Sequence, residues 1–310
     1  MRLLAWLHYV ACGAGLLLCG CGGKSVTATP PPTPVTPDAS ALAGNWLIVG
    51  PMPAISPSVS IPPQPPPMRL ALTVDAVGNN IVAAGFGTHL CGSFMGSFSF
   101  APVVTGTVAQ DGSFSLGAPP VFPDITVAMT GKMPATAGTP WAGSYTVGIT
   151  ELPGFQTDCV GTFSDTFTAI SFPLVNGVYA GTASSTTSVN GAPTTTTMAL
   201  QVTLQQGGTA TDIRGRTVTS NTVLTGSIKV QGSPCFSSGT TNGSVSSSVL
   251  GNEVSAAFTM DDGSTLELSG SLTDASESRI ATNLVLLTGG QCGGSRPPFA
   301  YRLPELDRQS

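Results

Sequence analysis

The sequence predicts an all-β protein, built from two tandem antiparallel β-barrel or β-sandwich units after a disordered Pro/Thr-rich linker. Polar and apolar residues alternate in short runs such as Arg69 to Val74 and Val223 to Val230, which is the pattern of half-buried strands. Turn-forming pairs such as Asp111-Gly112 and Asp262-Gly263 separate these runs. No segment carries a capped apolar stripe of helical period. Many short strands at a spacing of about 8–12 residues indicate a barrel or a sandwich.

Residues 1–20 have the pattern of a signal peptide. Arg2 precedes an apolar run from Leu3 to Leu18, which is shorter than the roughly 20 residues that span a bilayer. The run ends in Leu18-Cys19-Gly20-Cys21, with a small residue directly before Cys21. This arrangement resembles the lipobox of bacterial lipoproteins. The resemblance implies cleavage after Gly20, a lipid on Cys21 and attachment of the mature chain to a membrane through that lipid.

The same resemblance suggests a place in the bacterial cell envelope. Gly22 after the lipid-bearing cysteine favours the outer membrane. The alternatives are an ordinary secretory signal cut near Gly22 or Gly23, or an N-terminal membrane anchor. Residues 21–41 are then a flexible linker, because the stretch 22–40 contains five prolines and cannot form a core.

The remaining chain has the features of a duplication, with a first β unit over 42–173 and a second over 174–305. Each unit opens with a glycine, one spacer and an aromatic residue, and a low-complexity stretch, a strand and two cysteines follow. The matched pairs are Gly44/Trp46 and Gly177/Tyr179, 51–67 and 184–197, 69–74 and 199–204, Cys91/Cys159 and Cys235/Cys292, and 125–131 and 266–270. Coincidence between two Ser/Thr/Gly-rich segments is the alternative, since low complexity inflates self-similarity.

The Gly44-x-Trp46 opening resembles the first strand of lipocalins. That resemblance implies an eight-stranded up-and-down barrel with a ligand cavity. The second unit has Gly177 and Tyr179 at the corresponding positions, so its tryptophan is missing. The alternative is that Trp46 and Tyr179 are core aromatics at the start of a strand.

Composition limits the partners. Only 9% of the residues are charged, against about 25% in a typical soluble domain. Removing Arg2 leaves ten basic and sixteen acidic residues, a net charge of −6. Without a basic cluster, no nucleic-acid partner is expected. The expected partners are the membrane, through the lipid, and a small apolar ligand, a glycan or a protein.

Four cysteines remain in the predicted folded part after Cys12, Cys19 and Cys21 are set aside. An even number in an oxidising compartment indicates two disulfides, and three pairings are open. The pairing Cys91–Cys159 and Cys235–Cys292 keeps each unit self-contained, so we predict it. A zinc site is disfavoured because no C-x-x-C spacing is present.

No catalytic, cofactor or metal site is predicted. His89 and Cys91 would share one face of a strand, but no third ligand lies near them in sequence. Asp261 and Asp262 precede Gly263 and are better explained as a hairpin turn. No G-x-S-x-G or S-x-x-K motif occurs. The expected function is a noncatalytic binding or surface module, and the alternative is an envelope hydrolase that uses acidic residues.

The two long low-complexity stretches are the candidate binding segments. Connections in compact domains are typically about 4–6 residues long, whereas 51–67 and 184–197 are much longer. In a lipocalin-like barrel such a segment would lie over the open end. Ile55, Val59, Ile61 and Met68 would then close on an apolar ligand. The alternatives are a Pro-rich ligand for a partner protein and a solvated spacer.

Overall fold

A computed structural model of the protein describes residues 38–51, 68–91, 96–118, 125–150, 160–189, 192–211, 215–241, 246–273, 279–290 and 299–309. The predicted signal peptide, the lipidation site Cys21, most of the linker and the segment holding Ile55, Val59 and Ile61 lie outside these ranges. For some strand residues the structure describes the backbone but not the side chain: 89–91, 96–100, 187–189, 218, 283–284 and 299.

The first barrel is a ring of antiparallel strands. In chain order these are β1 (Gly44–Val49), β2 (Met68–Val77), β3 (Asn80–Cys91), β4 (Gly96–Phe100), β5 (Val103–Val108), β6 (Ser113–Gly117), β7 (Ile125–Lys132), β8 (Trp141–Ile149) and β9 (Gly161–Phe172). Strands next to each other in sequence are next to each other in the ring, and β1 closes it by pairing with β9. β4 and β5 both pair with β3, at opposite ends of it, so they fill one of eight positions.

The second barrel has the same order of strands: β10 (Gly177–Val189), β11 (Ala192–Gln206), β14 (Leu224–Gln231), β15 (Ser238–Thr241), β16 (Ser248–Leu250), β17 (Glu253–Met260), β18 (Thr265–Leu272), β19 (Arg279–Thr288), β20 (Phe299–Tyr301) and β21 (Glu305–Arg308). β15 and β16 both pair with β17, β20 and β21 both pair with β19, and β21 closes the ring onto β10. The short strands β12 (Thr209–Thr211) and β13 (Thr217–Thr219) form a separate hairpin.

The predicted all-β fold with two tandem units is therefore confirmed, and both units are closed eight-stranded barrels rather than sandwiches. The period of two explains the closure, because alternate side chains fill the interior. In β11, Met198, Leu200, Val202 and Leu204 are buried while the residues between them are exposed. The predicted turns are present as well: Gly112 and Gly263 have φ of 76° and 80° at hairpin tips, the left-handed conformation that glycine tolerates best.

Each barrel has its own hydrophobic core. In the first, Trp141 makes edge-to-face contacts with Trp46, Phe114 and Phe167, with ring centroids 5.6, 5.2 and 5.2 Å away. The core also includes Leu42 from a 3₁₀ turn over Ser40–Leu42, whose carbonyl oxygen accepts a 2.7 Å hydrogen bond from Trp46 Nε1. The 3₁₀ turn thus seals the end of the barrel at which β1 begins.

Two expectations about the long segments were wrong. Most of 184–197 is not a connection: β10 and β11 stay paired from Gly177↔Leu204 to Val189↔Ala192. Threonine is β-branched and favours strands, so a low-complexity Ser/Thr run extends the hairpin here. Met68 does not belong to a loop over the barrel mouth either. It begins β2, and its side chain is fully buried in the first core.

Candidate binding groove between the two barrels

The outer face of β2 is the surface on which the second barrel packs. Ala71 and Thr73 lie on this face, yet they are only 1% and 0% exposed. The Thr73 hydroxyl lies 2.9 Å from the Val249 carbonyl oxygen of the second barrel and accepts the Gly251 N–H at 2.8 Å. A buried hydroxyl therefore joins the two barrels with its hydrogen bonds satisfied.

Gly251 fits this contact because it has no side chain. Its φ is 57°, and a Cβ at this position would collide with the Trp46 carbonyl oxygen and lie 2.5 Å from the Leu72 backbone nitrogen. The tight turn between β16 and β17 thus lies directly against the backbone of β1 and β2. The Gly251-Asn252 pair is typical of a turn, but no local sequence pattern indicates the contact with the other barrel.

A reciprocal pair of amides forms the centre of the contact, which we call the inter-barrel joint. Asn45 of β1 and Gln206 of β11 exchange two hydrogen bonds, Nδ2 to Oε1 at 2.9 Å and Nε2 to Oδ1 at 2.7 Å. Gln206 also accepts the Val175 N–H and donates to the Asn221 carbonyl, both at 2.8 Å. Asn45 and Gln206 are 1% and 6% exposed, so these bonds are shielded from water.

Asp75 extends the joint toward the solvent. Its carboxylate accepts the Ser220 hydroxyl at 2.5 Å and the Asn221 N–H at 2.8 Å. Hydrogen bonds to a charged acceptor are stronger than neutral ones. The two barrels consequently meet through a continuous polar contact, and Phe172 of β9 also packs against the second core.

Beside the joint lies an open groove of about 410 Å³. Phe86 of β3 forms the wall on the first barrel, and the second barrel contributes the rest: Ser248, Leu250, Glu253, Val254, Ser255, Ser269 and Gly270. Ser255 and Ser269 face each other across β17 and β18. The volume falls in the range of about 300–1,000 Å³ typical of small-ligand sites, and the mixed apolar and polar lining is also typical of them.

Glu253 is the one carboxylate among the described lining residues of the groove. Its Oε1 lies 3.0 Å from Arg69 Nη1 of the first barrel, and the two side chains are 33% and 41% exposed. Arg69 also lies 3.4 Å from the Asn252 side-chain oxygen. The ion pair is too exposed to stabilise the fold strongly, but it fixes the orientation of the Glu253 carboxylate in the groove.

An exposed apolar strip leads from the groove along the first barrel. Val82 and Phe86 lie on the outer face of β3, and Val103 lies beside them on β5, opposite Ala84. Val82, Phe86 and Val103 are 48%, 44% and 44% exposed. Val82 and Phe86 are four residues apart, about 13 Å along a strand. The strip thus provides an apolar surface continuous with the Phe86 wall.

Aromatic side chains line part of the interior of the first barrel. The aromatic cluster around Trp141 fills the first barrel near the end at which β1 and β8 begin, and burial raises the pKa of the Tyr145 phenol, with the Asp165 charge adding to the shift. A smaller cavity of about 210 Å³ lies at the start of β1, between Ala43 and Pro173. The ligand cavity implied by the lipocalin resemblance remains a prediction.

The predicted site residues lie apart from this groove or outside the description. Cys235 is half-buried beside the second core, whereas Cys21, Cys159 and Cys292 lie outside the described residues. Cys91 and His89 belong to β3, and their side chains are not described. The pairing of Cys91 with Cys159 and of Cys235 with Cys292 remains a prediction.

The acidic pair is a structural turn. Asp261 accepts hydrogen bonds from the backbone and hydroxyl groups of Ser237 and Ser238, and Asp262 accepts from Ser264. The Ser237 hydroxyl is the main cause of a lowered pKa at Asp261. Within the described ranges, no three His, Cys, Asp or Glu side chains gather as a metal site, and no helix is long and apolar enough to cross a bilayer.

Comparison with known proteins identifies no relative: the chain matches no family model, no curated protein and no solved structure.

The groove between the barrels was not predicted from the sequence. Neither Glu253 nor Phe86 was predicted as a site residue. Their proximity depends on how the two barrels pack, which no local pattern encodes.

Proposed function

We propose that the chain is a noncatalytic binding protein of the bacterial cell envelope, held to a membrane through a lipid on Cys21. We further propose that it binds a neutral, hydroxyl-rich ligand of the glycan class in the inter-barrel groove. The observation that carries this proposal is the combination of an exposed phenylalanine ring, one oriented carboxylate and three serines in one groove of about 410 Å³.

The chemistry of the lining favours a glycan over a purely apolar ligand. A sugar ring has an apolar C–H face and a rim of hydroxyls. Phe86 can cover the face, since aromatic rings bury large apolar areas. The Glu253 carboxylate can accept hydrogen bonds from two sugar hydroxyls, while the hydroxyls of Ser255 and Ser269 can both donate and accept hydrogen bonds. Hydrogen bonds from hydroxyls to a carboxylate are short and strong.

The alternative of an envelope hydrolase has less support. Hydrolysis of a glycosidic bond needs two carboxyl groups about 5–10 Å apart, one on each side of the scissile bond. Among the described lining residues Glu253 is the only acid, and Arg69 holds it in an ion pair.

Glycan binding can be tested with the full-length protein in detergent against a panel of neutral and acidic oligosaccharides. Phe86→Ser and Glu253→Gln should each weaken the binding of a neutral hit at least tenfold, about 1.4 kcal/mol. Ile170→Ser and Glu305→Gln are matched controls. Ile170 is a strand residue that is 42% exposed. The Glu305 carboxylate forms an ion pair with Arg279 at 3.1 Å, and neither residue is among the described lining residues of the groove. Hits that all four variants bind equally well would contradict the groove as the binding site.

The lipid anchor is tested separately. Cys21→Ala should leave the precursor unprocessed or release the protein from membranes, whereas Cys12→Ala should do neither. Mass spectrometry that finds an unmodified N-terminus downstream of Cys21 would contradict the anchor and leave the groove proposal untouched.

An ancestral duplication is proposed as the origin of the two barrels. It is supported by their identical strand order and by the matched segments 125–131 and 266–270, which lie in β7 and β18, the sixth position of each ring. One disulfide within each barrel, at equivalent positions, is the corresponding expectation for the four cysteines.

A further inference from the structure

The β10–β11 hairpin extends beyond the second barrel as a threonine-rich ribbon, which we define as residues 184–189 and 192–197. The pairing of β11 with β14 starts at Ala199, and no other described strand pairs with Ala192 to Thr196 on that side. Each residue from Ala192 to Thr197 is exposed, including those on both faces of the strand. This stretch of β11 is therefore a strand edge open to solvent on both faces.

Backbone geometry shows which groups this edge presents. The Gly207 N–H donates to the Val223 carbonyl oxygen at 2.8 Å, so odd-numbered residues of this strand direct their backbone groups toward the β14 side. By the strand period of two, Thr195 and Thr197 do the same. The backbone nitrogen of Pro193 also points to this side. Proline has no N–H, but none is needed here because the hydrogen bonds to β10 are made on the other side of the strand.

We propose that this edge pairs antiparallel with the same edge of a second copy of the chain, with Thr195 opposite Thr195. In this register the two Thr195 residues exchange two backbone hydrogen bonds. The Thr197 N–H of each copy would donate to the Pro193 carbonyl of the other, which gives four bonds in all. Opposite residues must share a face in an antiparallel pair, and a register centred on Thr195 meets that condition.

Self-pairing suits the side chains of the edge. The ribbon already places threonine opposite threonine, as in Thr186↔Thr195, where the hydroxyls are 3.1 Å apart. No residue from Gly177 to Gln206 is charged, so two copies meet without like-charge repulsion. Exposed edges are usually blunted by lysine or other charges, and Pro193 is the one such feature here. A contact of four bonds is weak, and anchoring in one membrane would raise its effective concentration.

The test is oxidative cross-linking of full-length Thr195→Cys in membranes. A hydrogen-bonded antiparallel pair holds its Cα atoms about 5.5 Å apart, within disulfide range. We expect a covalent homodimer at least fivefold more abundant than for Thr130→Cys, an exposed threonine paired on both sides within the first barrel. Equal yields from the two variants, or a Thr195→Cys adduct with a different protein, would overturn the proposal.

A second variant removes the edge without adding a thiol. Thr195→Pro deletes an outward N–H and the hydroxyl contact with Thr186 but no backbone bond between β10 and β11, so the barrels should keep their far-UV circular dichroism. Amine cross-linking of this variant should give the homodimer at less than a fifth of the wild-type yield. A wild-type yield from folded Thr195→Pro would also overturn the proposal.

Discussion

Replacing Gln206 with leucine tests whether the inter-barrel joint holds the two barrels together. The side chain makes four hydrogen bonds of 2.7 to 2.9 Å, two of them to Asn45 and one each to the Val175 N–H and the Asn221 carbonyl. Leucine fills a similar volume but leaves at least the Val175 and Asn221 backbone groups without this partner. Each buried group that loses its hydrogen bond costs about 1–3 kcal/mol. The free energy of unfolding should therefore fall by about 2–6 kcal/mol.

Urea unfolding followed by tryptophan fluorescence makes the test specific. Trp46 and Trp141 both lie in the first core, whereas Gln206 belongs to the second barrel, so a shifted fluorescence transition reports coupling across the joint. Gln205→Leu is the matched control, because Gln205 is the exposed neighbour on the same strand. Its effect should stay within about 0.5 kcal/mol. Coincident transitions for Gln206→Leu and Gln205→Leu would refute the structural role of the joint.

Three further predictions concern the turn at the joint, the acidic turn and the cysteines. Gly251→Ala should lower the free energy of unfolding in urea by about 2–5 kcal/mol, because alanine is strained in the left-handed conformation and its Cβ would collide with β1. Gly263 has open space around it, so Gly263→Ala should lower the free energy of unfolding by only about 1–2 kcal/mol, from the backbone strain alone. The pKa of Asp261 is lower in the folded protein than in the unfolded chain. Its contribution to stability is therefore fully present above the pKa of the unfolded chain, and it is lost as the pH falls through the pKa of the folded protein. A carboxyl NMR titration should give a midpoint below 3.8, and Ser237→Ala should raise it. Non-reducing peptide mapping should find one bridge within each barrel; a bridge from Cys235 to Cys91 would contradict this.

Fold class was predictable because each strand carries its own signal. The alternation from Arg69 to Val74 and the glycine turns are local features. The structure has a strand and tight turns at these places, although Ala71 and Thr73 on the outer face of that strand are buried as well. The error at 184–197 has a physical cause. A threonine-rich run has few apolar residues to mark a buried face, yet the β-branched side chain still favours extended backbone. Polarity therefore indicated a loop where the backbone preference produced a strand.

The groove could not be predicted, because it depends on contacts between residues far apart in sequence. Asn45 and Gln206 are 161 residues apart, and each looks like an ordinary polar residue of a strand. Their burial follows from the way β2 packs against the second barrel. The Arg69–Glu253 pair depends on the same packing, so neither charge indicated a site from sequence alone.

Ligand binding should depend on the joint as well as on the groove lining. Phe86 is opposite Ala71 on β2, and β2 carries Thr73, which bonds to the second barrel. The distance from the Phe86 ring to Glu253 is thus set by the joint. Gln206→Leu, which touches no lining residue, should weaken the binding of a neutral glycan about threefold to tenfold under conditions where the variant is fully folded, because a misplaced wall loses contacts with the ligand. Isothermal titration of Gln206→Leu and Gln205→Leu with the same glycan would measure this. Equal dissociation constants would mean that the groove keeps its shape without the Gln206 bonds, and that the two barrels are held together by other contacts.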